Sequence, residues 1–318
     1  MKKMKILVIA MLGVTLATVS CKKDEPTTDP TTDPTVNPSA QALGAFFSGN
    51  TANEVQQFTI DATTPGSISG SKGTVINFSG SSFETQSGTV VTGNVDIELI
   101  EIFSKADMIK LNKPTMANHP NGGLAPLISG GEFKITASQN GEELNLRDGF
   151  NYFVTVPAAN GVDPNMEIFY GTDDSDTVVW NQADSSVIWG QGNQYSAYFD
   201  SLNWINLDYF MNQTGPQTTV QVEVPQGFNN QNCALFISFD GLNSLAMLYN
   251  ASGNVFTSAP SYTLPVGMDV HFVALSFINN EPHVAIVQAQ LVNNHYEVIQ
   301  QLTQTTTGQL DTDLSNLP

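Results

Sequence analysis

Apolar side chains in this chain return at every second position, and that spacing restricts it to strands, because only an extended backbone puts alternate residues on one face. In "GNVDIELIEIF", residues 93–103, Val95, Ile97 and Leu99 share a face opposite Asp96 and Glu98. Ile100 and Ile102 then take the other phase, which predicts a bulge or a strand buried on both faces. "GFNYFVTVP" aligns Phe150, Tyr152, Val154 and Val156, and "TTVQVEVP" aligns Val220, Val222 and Val224. "CALFISF", "VHFVALSF" and "PHVAIVQAQLV" extend the pattern, and Asn293-Asn294 reads as the two-residue turn of a hairpin joining the last of them to "HYEVIQQL". Helical spacing is confined to two short pieces. One is residues 104–111, opened by a Ser-x-x-Asp capping pattern; the other is the C-terminal "TGQLDTDLSNL", with Leu310, Leu314 and Leu317 in register. The expected fold is all-β. The linker-like "AANGVDPN" divides it into two tandem sandwich-like domains, 45–157 and 158–318, the second with an aromatic-rich opening segment and a short C-terminal helix.

The first residues do not fit that pattern. Lys2, Lys3 and Lys5 precede an apolar run over residues 6–19, too short to span a bilayer core of about 30 Å, which is the make-up of an export signal. Small residues, Ala17 to Ser20, lead into Cys21, and this stretch resembles a bacterial lipobox, with Thr18 where that family prefers Leu, Val or Ile. The resemblance implies cleavage after residue 20 and acylation of Cys21 by palmitate-class chains. Each buried methylene is worth about 0.8 kcal/mol and one chain anchors only marginally, so two or three make a firm anchor. Lys23, Asp24 and Glu25 resemble the signal that sends lipoproteins of the Bacteroidota to the outer face of the outer membrane. Residues 21–44, with Pro26, Pro30, Pro34 and Pro38 among Thr and Asp, read as a disordered, extended tether.

Thirty acidic residues against eleven basic ones give a net charge of −19, a surface that repels phosphate backbones and excludes nucleic acid as a partner. Charged residues are nevertheless only 13% of the chain, the remaining polarity being Asn, Gln, Ser and Thr, as suits an extracellular β-protein. With Cys21 acylated, Cys233 has no cysteine partner and reads as a small buried hydrophobe.

Within the first domain, "GTVINF", "VTGNVDIEL", "SKADMI", "KPTM" and "SGGEFKITA" resemble a module of Bacteroidota surface lipoproteins. More distantly, the module is similar to the β-sandwich shared by ankyrins, netrin receptors and zonula occludens proteins. The resemblance covers about 75 residues, and "MEIFYG" and "NWINLDYF" resemble stretches that follow the module in the same bacterial proteins. It implies a β-sandwich and carries over no catalytic residue; its eukaryotic members bind proteins.

Catalytic signatures are missing: the chain has no H-E-x-x-H, no Cys/His zinc spacing, no G-x-S-x-G and no phosphate-binding G-x-x-x-x-G-K. Ser69 and Lys72 spell S-x-x-K, but among glycines rather than one helical turn apart. His119, His271, His283 and His295 are scattered; His271 and His283 fall in strand patterns that could make them cross-strand neighbours, with ordinary sheet hydrogen bonding the plainer reading. Asp173, Asp174 and Asp176 crowd one turn and could offer calcium oxygen ligands. That turn lacks the Gly and terminal Glu of an EF-hand, so a solvated turn is the preferred reading and no cofactor is expected. Asp176-Thr177-Val178 and Asp200-Ser201-Leu202 match a short pattern used for O-glycosylation in Bacteroidota.

The aromatic stretch offers the sharper functional candidates. Trp180, Trp189 and Tyr195, flanked by amides and carboxylates, have the make-up of a sugar-stacking site, though aromatics more often fill cores. Trp180 and Trp189 each end a β-branched run separated by "NQADSS", which predicts a hairpin pairing and burying both rings. The functional expectation is a lipid-anchored, surface-exposed binding or scaffolding module for a protein or glycan. The alternative is an extracellular polymer hydrolase with no catalytic set to name. A concave carboxylate pair would favour the enzyme; an exposed aromatic patch would favour binding.

Overall fold

The strand Asn94–Ile102 is the seed of the architecture. In the computed structural model, which describes residues 37–159, 161–174, 177–185 and 187–318, it pairs antiparallel with Gln56–Asp61 on one side and Leu124–Gln139 on the other. Val95, Ile97 and Leu99 enter one core while Ile100 and Ile102 enter another, and the ladder with Leu124–Gln139 runs unbroken through both sets. The change of phase therefore marks burial on both faces, not a bulge. The protein is 49% strand and 11% helix, an all-β, sandwich-like fold.

The sheet extends through Asn203–Phe210, Glu167–Asp174 and Thr177–Gln182 to Met116–Asn118, making eight strands. A five-stranded sheet, ordered Ile188–Gln191, Gln194–Phe199, Tyr152–Pro157, Val75–Phe78, Gly66–Ser69, lies on one face of it. Side chains such as Phe133, Ile135, Tyr152, Phe199 and Leu207 fill the space between. The division expected at 157/158 cuts both sheets. Tyr152–Pro157 is laddered to Gln194–Phe199, and Leu124–Gln139 to Asn203–Phe210, so the first sandwich continues to Phe210. A Gly/Pro/Asn-rich segment marks a turn in the chain, and only non-local pairing tells a loop within a sandwich from a linker between two.

The second sandwich joins a sheet built on Cys233–Phe239, Asp269–Ile278 and Glu281–Gln290 to a smaller one built on Val220–Glu223, Val255–Thr257 and His295–Val298. Cys233 is buried, with its thiol pushed up to about 12 by burial. The hairpin expected at Asn293-Asn294 does not form. His295–Val298 leaves its sequence neighbour and runs parallel to Val220–Glu223 in the opposite sheet, so the two asparagines carry the chain across the sandwich.

A third core lies between the sandwiches and holds them in one compact unit, together with three helices. Helix α1 (Ala40–Glu54) was not visible as a periodic stripe because only Leu43 and Phe47 are buried along it. Its N-cap is Ser39, whose Oγ accepts from the Ala42 N–H at 3.1 Å. Residues 40–44, expected in the tether, are thus helical, since a capped helix whose Phe46 ring lies 5.2 Å from Phe277 is tied to the body. The two expected helices appear as α2 (Lys105–Lys110), capped by Ser104, and α3 (Thr307–Ser315), capped by Thr306. Among the described residues no helix is long and apolar enough to cross a membrane. Cys21, Lys23, Asp24 and Glu25 lie outside the described residues.

Candidate functional site

The outer face of the five-stranded sheet carries an exposed aromatic row. Phe153 and Tyr198 are direct cross-strand partners, with ring centroids 5.0 Å apart. Trp189 stands on the neighbouring edge strand, where it pairs with Ser196, and meets Tyr198 edge-on at 6.0 Å and 89°. Trp189 is 49% exposed and Tyr198 55%. The two rings border a cleft of about 370 Å³ whose other walls include Tyr170, Val187, Asn151 and Asp200. The Tyr170 hydroxyl donates to Asp200 Oδ1 at 3.3 Å, and its phenol is pushed up to about 12, chiefly by burial and then by the Asp200 charge. Tyr170 therefore keeps its proton at neutral pH and remains a donor. Asn181, Gln182 and Asp184 line an adjoining hollow that shares Tyr170 and Asp200. Together these groups give two aromatic rings at the mouth of a cleft fringed with amide and carboxylate oxygens.

Of the three aromatic residues singled out from the sequence, only Trp189 belongs to this surface. Trp180 is fully buried, donating its Nε1–H to the Pro114 carbonyl at 3.1 Å and meeting Trp204 edge-on at 6.4 Å. Gly171 makes room for that pair, because a Cβ there would come within 2.6 Å of Trp204 and Val178. Tyr195 is buried too; its hydroxyl accepts from the Asp163 N–H at 2.7 Å and donates to the Gly161 carbonyl at 3.2 Å. The expected Trp180–Trp189 hairpin is absent: Trp180 pairs with Gly171 in the eight-stranded sheet, whereas Trp189 pairs with Ser196 in the other. The polar stretch between them crosses from one sheet to the next. Tyr198 and Tyr170 were missed as site residues. Their clue was placement in "YSAYFD" and "FYGTD", a tyrosine on the opposite phase from the buried members of its own strand or next to an acid.

In the acidic turn, the Asp173 side chain is bonded into the fold. Asp173 Oδ1 accepts from Trp204 Nε1 at 2.8 Å and Oδ2 pairs with Lys134 at 3.3 Å, while Lys113 and Lys134 each sit 5.3 Å from the Trp204 ring. Asp176 and the Asp174 side chain lie outside the described residues. Thr177 has a buried hydroxyl, whereas Ser201 is exposed in the turn before Asn203–Phe210. His271 and His283 are not neighbours, since they pair with Gln288 and Ser276. His271 Nδ1 instead lies 2.7 Å from Asp240 Oδ1.

Two acids that the sequence reading did not single out, Glu132 and Asp208, are fully buried. Both carboxyls are held well above the usual carboxylate range, in each case first by burial. Among the described residues, neither Glu132 nor Asp208 belongs to the lining of the five surface clefts, one of which the adjacent Ser129 and Gly130 do line. No family model and no curated protein matches the chain.

Proposed function

We propose that the chain is a lipid-anchored binding module displayed at the cell surface, and that its ligand is a glycan held in the Trp189–Tyr198 cleft. The observation that carries this reading is convergence: Val187, Trp189 and Tyr198, three of the large hydrophobic side chains left exposed, border the same cleft as Asp200 and Asn151. Indole and phenol rings stack on the apolar faces of pyranose rings, and fixed oxygens beside them bond the equatorial hydroxyls. Aromatic rings left exposed side by side at the mouth of a cleft mark a surface with a use for them. Support for the anchor comes from Cys21 and the residues preceding it.

Glycan-array binding of the wild type, followed by Trp189→Ala and Tyr198→Ala, tests the site. Retention of a glycan by the wild type and its loss in both variants, with unchanged melting, is the expected outcome. Equal retention by the variants would remove the cleft from the reading. Cys21→Ala tests the anchor independently: incorporation of a fatty-acid probe should vanish, and continued labelling would overturn the assignment.

A further inference from the structure

We propose that the seam between the two sandwiches holds one hard divalent cation of the calcium class, ligated by Glu132 and Asp208 with the side-chain oxygens of Asn206 and Ser129. These four residues lie on one face of two adjacent strands. Glu132 stands directly across the ladder from Asn206, and Ser129 across from Asp208. The register shift between Asn206 and Asp208 faces Gly130-Gly131, and Gly131 adopts a φ of +142° where a Cβ would strike Phe103 at 2.6 Å. That irregularity draws Ser129 back to the cluster, where its Oγ donates to Asn206 Oδ1 at 3.1 Å. Asn206 Nδ2 in turn donates to Asp208 Oδ2 at 2.6 Å.

The pointer to a ligand is what this network leaves over. Both carboxylate oxygens of Glu132 are buried with no hydrogen-bond partner, and Asp208 Oδ1 has none of good geometry, although the Ser129 hydroxyl and the Gly130 N–H act on the Asp208 carboxyl. Glu101, equally buried on the next strand, shows how the fold treats an acid it keeps for structure: its carboxylate accepts from Gln56 Nε2, the Lys72 N–H and the Thr74 N–H, each at 2.9 Å. Glu132 receives nothing of the kind. The charged groups that act on it are Lys113 from the loop after α2, Asp107 from α2 and Asp208 beside it, and Lys113 is also drawn to Asp173 at 3.9 Å. Buried carboxylates require a counter-charge or a full set of donors. A cation between Glu132 and Asp208 satisfies both Glu132 oxygens and Asp208 Oδ1 at once.

Among the described residues no three His, Cys, Asp or Glu side chains converge, so the donor set is two carboxylates completed by amide and hydroxyl oxygens. An all-oxygen set selects a hard cation over zinc or copper. A buried, irregular site favours calcium, which accepts variable geometry, over magnesium, which demands a near-octahedral one and keeps its waters.

The test uses the full chain, stripped with EDTA and dialysed, then titrated with Ca²⁺ or Mg²⁺ alone. Native mass spectrometry should retain one Ca²⁺ per chain, melting should rise by several degrees, and Mg²⁺ should bind at least roughly tenfold more weakly. Glu132→Gln should lose the retained ion and the melting response, while Glu142→Gln, on the exposed Glu142–Glu143 strand, should keep both. A wild-type chain that neither retains Ca²⁺ nor gains melting temperature overturns the proposal, and this arm stands whether or not the variant folds. Equal responses in all three proteins would mean adsorption to an acidic surface and would overturn it as well.

Discussion

The first sandwich has two outer faces, and each carries an aromatic pair drawn from residues 180–204. On the face toward the second sandwich, Trp180 and Trp204 are sealed in, with each indole N–H bonded and lysines over one ring. On the opposite face, Trp189 and Tyr198 meet at a similar separation and angle but stand half in solvent. The local chemistry of the two pairs is alike; what differs is whether a second layer covers them. The covered pair is cement, and the uncovered pair is free for a ligand.

Four measurements can break or sharpen that contrast. The largest effect belongs to Trp180→Ala, which empties a closed site and should cost about 3–5 kcal/mol in chemical unfolding; a near-wild-type midpoint would dissolve the distinction between the faces. Next comes Glu132→Gln in EDTA at pH 8, on the same covered face. Because Glu132 is held above its ordinary carboxylate range, the folded state keeps that proton more tightly than the unfolded chain does. This contribution is complete in acid and is lost as pH rises from about 4 through the folded value. The variant should therefore be more stable than the wild type by about 1–3 kcal/mol at pH 8, with the gap closing toward pH 4. A gap independent of pH would point to packing instead.

Trp204→Phe sits third. It keeps most of the buried ring but forfeits the bond to Asp173 and weakens the contacts of Lys113 and Lys134, for an expected loss of about 1–2 kcal/mol. Adding Asp173→Asn to the same chain should cost little more, because the two changes remove one shared interaction. The smallest stability effect is expected on the open face: Trp189→Ala should stay within about 0.5 kcal/mol of wild type in thermal unfolding. A loss above about 2 kcal/mol there would make this ring cement as well and leave the proposed glycan surface without its platform.

Much of this was legible in residue order alone. The burial pattern of Asn94–Ile102, the capped start of α2 and the leucines of α3 all follow from the spacing of apolar residues and a few capping side chains. Those are properties of a single element, settled within a turn or a pleat. Helix α1 escaped notice because it buries too few side chains to leave a stripe. The 157/158 division and the two expected hairpins went astray for another reason. Each assumed that neighbours in sequence are neighbours in a sheet, whereas Trp180 and Trp189, and likewise Glu281–Gln290 and His295–Val298, lie in different sheets.

The sequence by itself determined that this protein is built of strands, since period-two alternation is a local demand that no other backbone meets. It also determined which residue types were available for binding. Which aromatic ring sees solvent, and which acids are shut away from it, was decided only by tertiary structure. Alternation assigns a side chain to one of two faces of its strand, but whether a face meets water, a second sheet or another sandwich depends on segments hundreds of residues apart. Glu132 shows this most directly: it is a polar residue in its proper phase, and Asp107, Lys113 and Asp208, brought together by three different elements, define its surroundings.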